Sequence, residues 1–575
     1  MLKLFRLLKP FTLSITVTLV LVFLQSIADL SLPTLMSSIV DDGIAKNDIP
    51  LIWKTGGRML LIALAGVIAN VIAGYLAARS SMGFGTLLRS RVFARVSSFS
   101  LLEMDRFGSA SLITRTTNDV SQVQQVLFMM LRMMAMAPMM AIGGIVMAVS
   151  KEPKLAWILL VVLPVMTLVI VGLGSKALPL FKAIQARLDG LNRVLRENLT
   201  GIRVIRAFDR AERERGRFDA ANADLTSVTL KVNRLMASMF PVVMLLMNLT
   251  TIMIVWFGGL AVDSGGVQIG SLMAFIQYAM QIMFAVIMVT VMFIMVPRAS
   301  ASAERINEVL EAQPGVVDPP TPVIPARREG RVEFRNVTFR YPGAEEPALR
   351  GVSFVIEPGT TAAIIGGTGS GKSTIVNLVA RFYDVEEGAV LVDGVDVRDM
   401  TQAELRSRLG LAPQRAVLFS GTVADNLRFG APGAGDADVE AAAETAQAAD
   451  FIMEKEGGYA ATISQGGVNV SGGQKQRLAI ARALARKPPL YLFDDAFSAL
   501  DFKTDARLRS ALRKTAAGST VVIVAQRVGT VRHADRILVL DDGRLVGDGK
   551  HHELMDSCPV YRDIVESQLG AEEAV

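Results

Sequence analysis

Two stretches in the C-terminal half carry residue types suited to phosphate and metal chemistry. Leu490–Asp495 is an apolar run that ends in the paired acids Asp494 and Asp495. The earlier stretch fits the pattern G-x-x-x-x-G-K-[ST], a loop whose backbone wraps phosphate groups. It consists of Gly366, Gly367, Thr368, Gly369, Ser370, Gly371, Lys372 and Ser373. Together the two stretches predict a site for a nucleoside triphosphate.

Each part of this pattern has a chemical role. Backbone N–H groups from Gly369 to Ser373 are expected to surround the β-phosphate at the N-terminus of a helix. Lys372 is expected to reach the β- and γ-phosphate oxygens, and the Ser373 hydroxyl is expected to bind Mg²⁺. Asp494, at the end of its apolar strand, is predicted to hold the same metal from the other side.

The local pattern supplies the elements that must position these groups. A β-branched run from Thr361 to Ile365 precedes the glycine loop, and a helical pattern starts at Lys372. Strand-like runs lie earlier, at 332–334 and 337–339, and prolines punctuate 313–326, which we interpret as a linker. Residues 327–575 therefore read as an α/β nucleotide-binding domain.

The N-terminal half is far more apolar. The chain of 575 residues is 51% hydrophobic, with a mean hydropathy of +0.41, which is too apolar for an ordinary soluble protein. About 20 apolar residues cross a bilayer as a helix. We predict six spans, near 11–33, 58–79, 126–149, 156–177, 239–262 and 271–296.

Positive charge predicts the orientation of these spans. Arginines are concentrated in 79–125 and 176–238, whereas the other connections are short or poor in positive charge. Both long loops, both termini and the nucleotide-binding domain are therefore expected in the cytoplasm, beneath the inner membrane. The loops keep helical periodicity, so the spans should continue as helices beyond the bilayer. The net charge of +6 follows from this topology, and no nucleic-acid partner is expected.

The first residues of the chain and its single cysteine allow two further interpretations. Basic residues at 3, 6 and 9 precede the first apolar run, but no small-residue cleavage site follows. We therefore interpret this run as a first span rather than a signal peptide. A single cysteine, Cys558, excludes an intrachain disulfide framework.

A further motif identifies a family resemblance. Ser471, Gly472, Gly473 and Gln474, followed by Lys-Gln-Arg, resemble the signature of ATP-binding cassette (ABC) proteins. Six spans followed by one cassette are similar to a half-transporter of the exporter type. The resemblance implies a six-helix transmembrane domain followed by an α/β P-loop ATPase domain with an α-helical subdomain. It also implies ATP and Mg²⁺ as cofactors, and a dimer in which each ATP lies between one chain's phosphate loop and the other chain's signature.

The same resemblance implies roles for other residues. Tyr341 matches the aromatic residue that stacks on adenine, and Thr374 continues the phosphate loop. Gln414 matches the glutamine that contacts Mg²⁺, and Asp501 belongs to the loop that crosses to the opposite cassette. Two cytoplasmic turns that press on the cassettes are expected at Phe107-Gly108 and at 201–208.

Three residues depart from the family pattern, two of them in the hydrolytic site. Members that hydrolyse ATP well carry Glu after the metal-binding Asp, but this chain has Asp495. Its side chain is one methylene shorter, a loss of about 1.5 Å in reach. Gln526 stands where the family has a histidine that contacts the γ-phosphate, and Gln465 stands where many exporters have a glutamate. We therefore expect Asp495, Gln526 and Gln414 to form a hydrolytic site that turns over slowly.

These observations predict the degenerate-site subunit of a heterodimeric exporter. The expected domains are 1–312, with six spans and two long cytoplasmic loops, the linker 313–326 and the nucleotide-binding domain 327–575. A homodimeric exporter, an importer of a siderophore or lipid that uses the exporter fold, and an ATP-switched membrane regulator remain alternatives.

The substrate is described only by class. Membrane lipid surrounds the spans, and methionines are frequent near 129–140, which suits an apolar cargo as well as simple packing. A hydrophobic small molecule, a lipid or a peptide fits this composition. Asp29 and Arg132 are ionisable residues at or near membrane depth, where such residues often face a cavity or a partner.

Overall fold

The computed structural model describes residues 2–569, apart from the side chains of Leu2, Phe293, Ile294 and Leu569. The chain forms two compact units. Residues 2–97 and 110–311 make up the membrane unit, and residues 98–109 and 312–569 make up the nucleotide-binding unit. A short insert within the N-terminal half therefore belongs to the second unit.

The described residues of the membrane unit form helices joined by short turns, with no strand. The unit contains six helical stretches long and apolar enough to cross a membrane: Lys3–Ile44, Ile49–Ser97, Ser109–Lys151, Pro153–Thr200, Ala211–Asp263 and Ile269–Glu311. The α-helices of the N-terminal half, of which α4 lies in the insert, are α1 (Leu2–Phe5), α2 (Thr12–Ser38), α3 (Ile49–Ser97), α4 (Leu101–Phe107), α5 (Ser109–Thr114), α6 (Val120–Met129), α7 (Ala135–Lys151), α8 (Ala156–Thr200), α9 (Ile202–Ala207), α10 (Ala211–Asp263) and α11 (Ile269–Glu311).

Several of these stretches change helical pitch along their length. Wider π-helical turns occur at Ile39–Ile44, Arg115–Asp119 and Met130–Met134, and 3₁₀ turns at Arg6–Phe11 and Pro153–Leu155. The six stretches are 42 to 53 residues long. At about 1.5 Å per residue, each exceeds the roughly 30 Å of a hydrocarbon core. The predicted continuation of the spans as helices is confirmed.

Helix α11 lies at the centre of the membrane unit. Phe275, Tyr278 and Ile282 are fully buried in a core shared with α2, α7, α8 and α10. Small residues permit close packing in this core. For example, a Cβ atom on Gly144 would lie 2.7 Å from Ile282, which is too close for a larger side chain.

An aspartate on one span caps the start of another. The buried Asp41 accepts hydrogen bonds from the backbone N–H groups of Gly270 (2.6 Å) and Ser271 (3.0 Å), and from the Ser37 hydroxyl (3.1 Å). The first N–H groups of a helix lack partners within the helix. Asp41 therefore satisfies the N-terminus of α11 from a distance of 229 residues in sequence.

We expect Asp41→Ala to destabilise the membrane unit by about 2 kcal/mol, because cap removal typically costs about 1 kcal/mol and buried N–H groups lose a charged acceptor. Asp42→Ala is the matched control, since Asp42 pairs with Lys46 at the surface, a contact worth at most about 1 kcal/mol. Thermal unfolding of the purified chain measures both. Equal effects of the two substitutions would contradict the capping role.

Charged pairs join α11 to the third span at a second point. The carboxylate of Asp119 accepts hydrogen bonds from Arg305 Nε (2.8 Å), Arg305 Nη2 (2.5 Å) and Ser302 Oγ (2.9 Å). One turn away, Arg115 pairs with Glu308 at 2.7 Å. Because bidentate Arg–carboxylate pairs fix geometry, these residues hold the far end of α11 in register with the third span.

The nucleotide-binding unit combines sheets with helices. The strands are β1 (Val332–Phe339), β2 (Leu349–Ile356), β3 (Thr361–Gly366), β4 (Glu387–Val392), β5 (Val395–Asp396), β6 (Leu409–Ala412), β7 (Gly421–Thr422), β8 (Thr462–Ile463), β9 (Leu490–Asp494), β10 (Thr520–Val524), β11 (Arg536–Asp541) and β12 (Arg544–Gly549). A four-stranded antiparallel sheet has the order β2-β1-β4-β5, a six-stranded sheet has the order β12-β11-β3-β10-β9-β6, and β7 pairs with β8.

Helices pack on both sides of the six-stranded sheet and form a separate helical part between β6 and β9. They are α12 (Lys372–Val379), α13 (Gln402–Ser407), α14 (Val423–Arg428), α15 (Asp436–Thr445), α16 (Ala449–Met453), α17 (Gly472–Leu484), α18 (Phe502–Thr515), α19 (Val528–Val531), α20 (His551–Ser557) and α21 (Pro559–Leu569). The predicted fold class, six spanning helices followed by an α/β domain with a helical subdomain, is confirmed.

The two strand-like runs predicted near the start of this unit belong to one strand. Residues 332–334 and 337–339 both lie in β1. The pairing register shifts between Phe334 and Val337, where Asn336 has φ +47°. Asn tolerates this left-handed conformation, so the strand bulges there and continues.

The insert 98–109 is tied to the nucleotide-binding unit by polar contacts. Tyr383 Oη donates a hydrogen bond to Asp105 (3.1 Å), and Glu103 accepts one from the backbone of Gly315 (3.0 Å). Burial raises the pKa of Tyr383, as does its bond to Asp105. Residues 312–331 contain no helix or strand. The domain limits at 312 and 326 remain predictions.

Candidate nucleotide-binding and hydrolysis site

The six-stranded sheet brings the predicted site residues to one edge. Strands β3, β6, β9 and β10 run parallel, so their carboxyl ends meet at the same edge, where ligands bind in open α/β sheets. The phosphate loop follows β3, and Gln414 follows β6. Asp494 ends β9, Asp495 comes directly after it, and Gln526 follows β10.

The glycine loop has the backbone freedom that its motif predicts. Gly369 and Gly371 have φ of +84° and +96°, a conformation that glycine adopts without strain. A Cβ on Gly371 would lie 2.6 Å from the carbonyl oxygen of Ala348, whereas nothing lies within 4 Å of the Cβ positions of Gly367 and Gly369. One face of the loop is therefore packed, and the other is open for phosphates.

Lys372 lies inside this loop. Its Nζ donates to the carbonyl oxygens of Gly366 (3.0 Å) and Gly367 (2.6 Å), and it lies 3.4 Å from Ser370 Oγ. Burial lowers the pKa of Lys372, while the nearby Asp495 and Asp494 raise it. A buried ammonium whose partners are neutral carbonyls is suited to receive phosphate oxygens.

Ser373 and Asp494 lie close enough together to bind one metal ion. The Ser373 hydroxyl donates to Asp494 Oδ1 at 2.8 Å, and both groups are oxygen ligands of the kind that Mg²⁺ prefers. Among residues 2–569, no cluster of three or more His, Cys, Asp or Glu could hold a metal without help. The residues therefore fit a Mg²⁺ ion that takes its remaining ligands from water and nucleotide phosphates.

The two aspartates differ in their surroundings. Burial raises the pKa of Asp494, and the neighbouring Asp495 raises it further, whereas the hydrogen bond from Ser373 lowers it. Burial also raises the pKa of Asp495, against the lowering effect of Ser498 and Gln414. Each carboxylate is thus partly desolvated, which favours a bound cation nearby.

Asp495 occupies a turn immediately after β9. Its φ is +47°, and its backbone N–H donates to Val524 at 2.9 Å. The side-chain atom Oδ2 accepts hydrogen bonds from Gln526 Nε2 at 3.3 Å and from Gln414 Nε2 at 3.5 Å. Since one carboxylate oxygen has about two acceptor sites, both sites on Oδ2 are taken by amides.

Tyr341 lies beside the helix that follows the phosphate loop. Its hydroxyl is 3.2 Å from Thr374 Oγ1 and accepts a hydrogen bond from Asn377 (3.3 Å). The ring meets Phe339 and Tyr383 in edge-to-face contacts, a geometry that aromatic pairs favour. These contacts hold the ring next to the loop, and its stacking on adenine remains a prediction.

The signature starts a helix in the helical part of the unit. The Ser471 hydroxyl accepts from Gln474 N–H (3.3 Å), and Gln474 Oε1 accepts from Ser471 N–H (3.0 Å). This reciprocal pair is a capping box. Ser471 and Gly472 are exposed, so the start of this helix lies at the surface of the unit.

The signature and the phosphate loop belong to different cores. The buried residues of α17 pack in one hydrophobic core with the helical part, and those of α12 pack in another with the antiparallel sheet. Asp501 is exposed and caps α18 through Thr504 N–H at 2.9 Å. The structure thus brings together Lys372, Ser373, Asp494, Asp495, Gln414 and Gln526, and it places the signature elsewhere in the unit.

Sequence reasoning missed the shared oxygen of Asp495. Gln414 and Gln526 lie in separate motifs, and neither motif indicates that both amides bond to one carboxylate atom. It also missed Tyr383 and Asp105, which attach the insert. No local pattern marks these contacts, because each joins residues far apart in the chain.

Comparison with known proteins agrees with this architecture. The ABC transporter transmembrane region family matches residues 15–286, and the ABC transporter family matches residues 349–498. An uncharacterised ABC transporter ATP-binding protein of Mycobacterium tuberculosis (strain H37Rv) is 44% identical over 565 residues, which cover 97% of each chain.

Two further similarities concern a named activity and a solved structure. An ATP-dependent lipid A-core flippase of Chromobacterium violaceum is 31% identical over 540 residues, covering 94% of this chain and 92% of the flippase. A bacterial Atm1-family ABC exporter with ATP bound superimposes with a TM-score of 0.79 at 26% identity, over 96% of this chain and 97% of that one.

The chain belongs to the ABC transporter family, and its fold is that of an exporter. It is a multi-pass membrane protein with an ATPase domain that uses ATP and Mg²⁺ and couples hydrolysis to transport. The predicted family, fold class, enzyme class and cofactors are confirmed.

Proposed function

We propose that this chain is the subunit with the slow ATP site in a heterodimeric exporter. Its phosphate loop, Ser373 and Asp494 bind MgATP. Its signature, Ser471–Gln474, completes the site of the other subunit. The role of each site residue named above is part of this proposal.

The observation that carries the proposal is the environment of Asp495. A general base must lie within hydrogen-bond reach of the water that it activates. Asp495 is one methylene shorter than Glu, and the amides of Gln414 and Gln526 occupy its Oδ2 atom. A displacement of about 1 Å can cost roughly a hundredfold in rate, so this site binds ATP and releases phosphate slowly.

An exposed surface on the membrane unit is suited to contact with a partner subunit. Helix α9 and the residue after it expose Val204 (61%) and Phe208 (73%), beside the exposed Arg203 and Arg206. Large apolar side chains on a cytoplasmic turn gain stability when a partner covers them. This turn is therefore a docking surface for the cassette of the other subunit.

The proposal includes orientation and domain limits. Arginines on the helical extensions at 79–125 and 176–238 favour the cytoplasmic side, so both termini and the nucleotide-binding unit face the cytoplasm under the inner membrane. Residues 1–312 form the transmembrane domain, 313–326 the linker and 327–575 the nucleotide-binding domain.

The substrate is a hydrophobic or amphipathic molecule. One relative is a lipid A-core flippase, and the membrane unit presents an apolar cavity of about 350 Å³ between α2 and α7. Ligand pockets typically measure about 300–1,000 Å³, so the cavity holds part of a small lipid or a comparable amphiphile.

The test uses the chain together with a second six-span cassette protein that carries Glu after its metal-binding Asp, which is to be sought in the neighbouring gene. In the reconstituted pair, Asp495→Glu should change ATP turnover by less than about threefold. Replacing the partner's glutamate by Gln should lower turnover by about a hundredfold or more, the usual contribution of a general base. The reverse ranking would refute the assignment of the slow site to this chain.

Two controls separate the alternative functions. If the chain purified alone forms a dimer with the turnover of the pair, it is a homodimeric exporter. If the pair hydrolyses ATP but moves no amphiphile against a gradient, it is a membrane regulator. Uptake in the opposite direction would identify an importer.

A further inference from the structure

Arg132 is a charged residue within the third span. It lies at the centre of the π-helical turn Met130–Met134, and turns of this type occur frequently at functional sites. The turn packs among α2, α3 and α11. A charge in this position is costly in a membrane and needs a compensating group.

The neighbours of Arg132 in the structure do not neutralise its positive charge. Arg132 Nη2 donates to Asn70 Oδ1 on α3, but the amide is neutral and leaves the positive charge in place. Within residues 2–569, Arg132 has no ion pair, and no other hydrogen bond from its guanidinium is resolved. Asp29, the other ionisable residue noted in this region, instead lies beside Gln25 and Gln281.

A glycine lies opposite the guanidinium. A Cβ on Gly74 of α3 would lie 3.6 Å from Arg132 Nη1, in van der Waals contact, so a larger side chain there would cover the guanidinium. The N–H groups of Arg132 that do not bond to Asn70 can donate to an oxyanion, which Arg binds in a fork geometry.

An apolar groove begins a short distance along the same span. Its walls are Phe23, Ile27 and Leu30 on α2 and Met139 and Ile142 on α7. Pro138, at its near end, is six residues from Arg132, which is about 9 Å along a helix. The π-helical turn that holds Arg132 also packs on α2, so the charge and the groove lie along the same pair of helical stretches.

We propose that Arg132 and this groove bind an anionic amphiphile, with its carboxylate or phosphate on the guanidinium and its hydrocarbon chain between α2 and α7. The inference rests on the proposed transport of amphipathic substrates and specifies their charge. A neutral or cationic amphiphile would leave Arg132 uncompensated.

The test is equilibrium binding without ATP. The full chain in phosphatidylcholine nanodiscs is titrated with a fluorescent hexadecanoic acid and with its methyl ester. We expect the acid to bind about tenfold more tightly than the ester, the ratio that one charged hydrogen bond gives. Arg132→Gln should remove this preference and leave ester binding within about twofold of the original.

Two further variants guard against a folding defect. Gly74→Leu keeps the charge but covers it, and should also abolish the preference for the acid. Arg58→Gln, at an exposed position on α3 about 18 Å along the helix from Asn70, should leave both affinities unchanged.

Equal binding of acid and ester by the original chain, or equal loss of both in Arg132→Gln, would overturn the proposal. Because the assay requires no hydrolysis, its failure would leave the slow-site assignment untouched. Conversely, a fast ATP site in this chain would not change the binding preference.

Discussion

Lys372→Ala should weaken MgATP binding to the purified chain by about a hundredfold or more. Lys372 Nζ lies between the carbonyl oxygens of Gly366 and Gly367, in position to turn toward phosphate oxygens. Each hydrogen bond to a charged group contributes about 1.5–3 kcal/mol, and two such bonds exceed the roughly 2.7 kcal/mol that a hundredfold change in affinity requires. Titration with a fluorescent ATP analogue measures the loss.

Lys514→Ala is the matched control for this substitution. Lys514 is exposed near the end of α18, so the same change there should leave nucleotide affinity unaltered. An affinity of Lys372→Ala within about threefold of the original would mean that the loop does not hold the phosphates in the way that the motif predicts.

The second large effect should be a gain of activity. We expect Asp495→Glu combined with Gln526→His to raise ATP turnover by the chain alone about a hundredfold, since about 1 Å of misplacement costs that factor. The glutamate restores the missing reach, and the histidine removes one of the two amides from the carboxylate oxygen. Each single substitution should give less than the pair, because Gln526 and Asp495 are in contact.

Asp542→Glu provides a close control. Asp542 is an exposed aspartate with φ +43°, so the same side-chain extension occurs there on the same type of backbone. This variant should hydrolyse ATP at the original rate. If the double variant is no faster than Asp542→Glu, the reach of residue 495 is not what limits turnover.

Much of the fold could be predicted because its signals are local. Runs of about 20 apolar residues are long enough to cross a bilayer, and the six runs correspond to the six spanning helices. The strand, glycine loop and helix around Lys372 follow from turn chemistry within a dozen residues.

Long-range contacts in the membrane unit could not be predicted. Asp41 caps α11 across 229 residues, and Asp119 binds Arg305 across 186 residues. Such contacts depend on which helices lie next to each other, which hydropathy does not encode. The π-helical turn around Arg132 could not be predicted either, because its apolar sequence fits an ordinary helix equally well.

The candidate site also divides into residues that local motifs predict and contacts that only the folded sheet shows. Motifs located Lys372, Ser373, Asp494 and the signature because each lies in a short pattern of residue types. The link between Gln414 and Gln526 through Asp495 depends on the parallel order of β6, β9 and β10. That order becomes visible only when the sheet is assembled.

The central claim is that the carboxylate of Asp495 is too short to activate water well. The most direct measurement is the steady-state ATP turnover of the full chain, purified without any other cassette protein. The account predicts a rate of about 0.1 s⁻¹ or less, roughly a hundredfold below the median enzyme rate of about 10 s⁻¹. A rate near 10 s⁻¹ from this chain alone would contradict it.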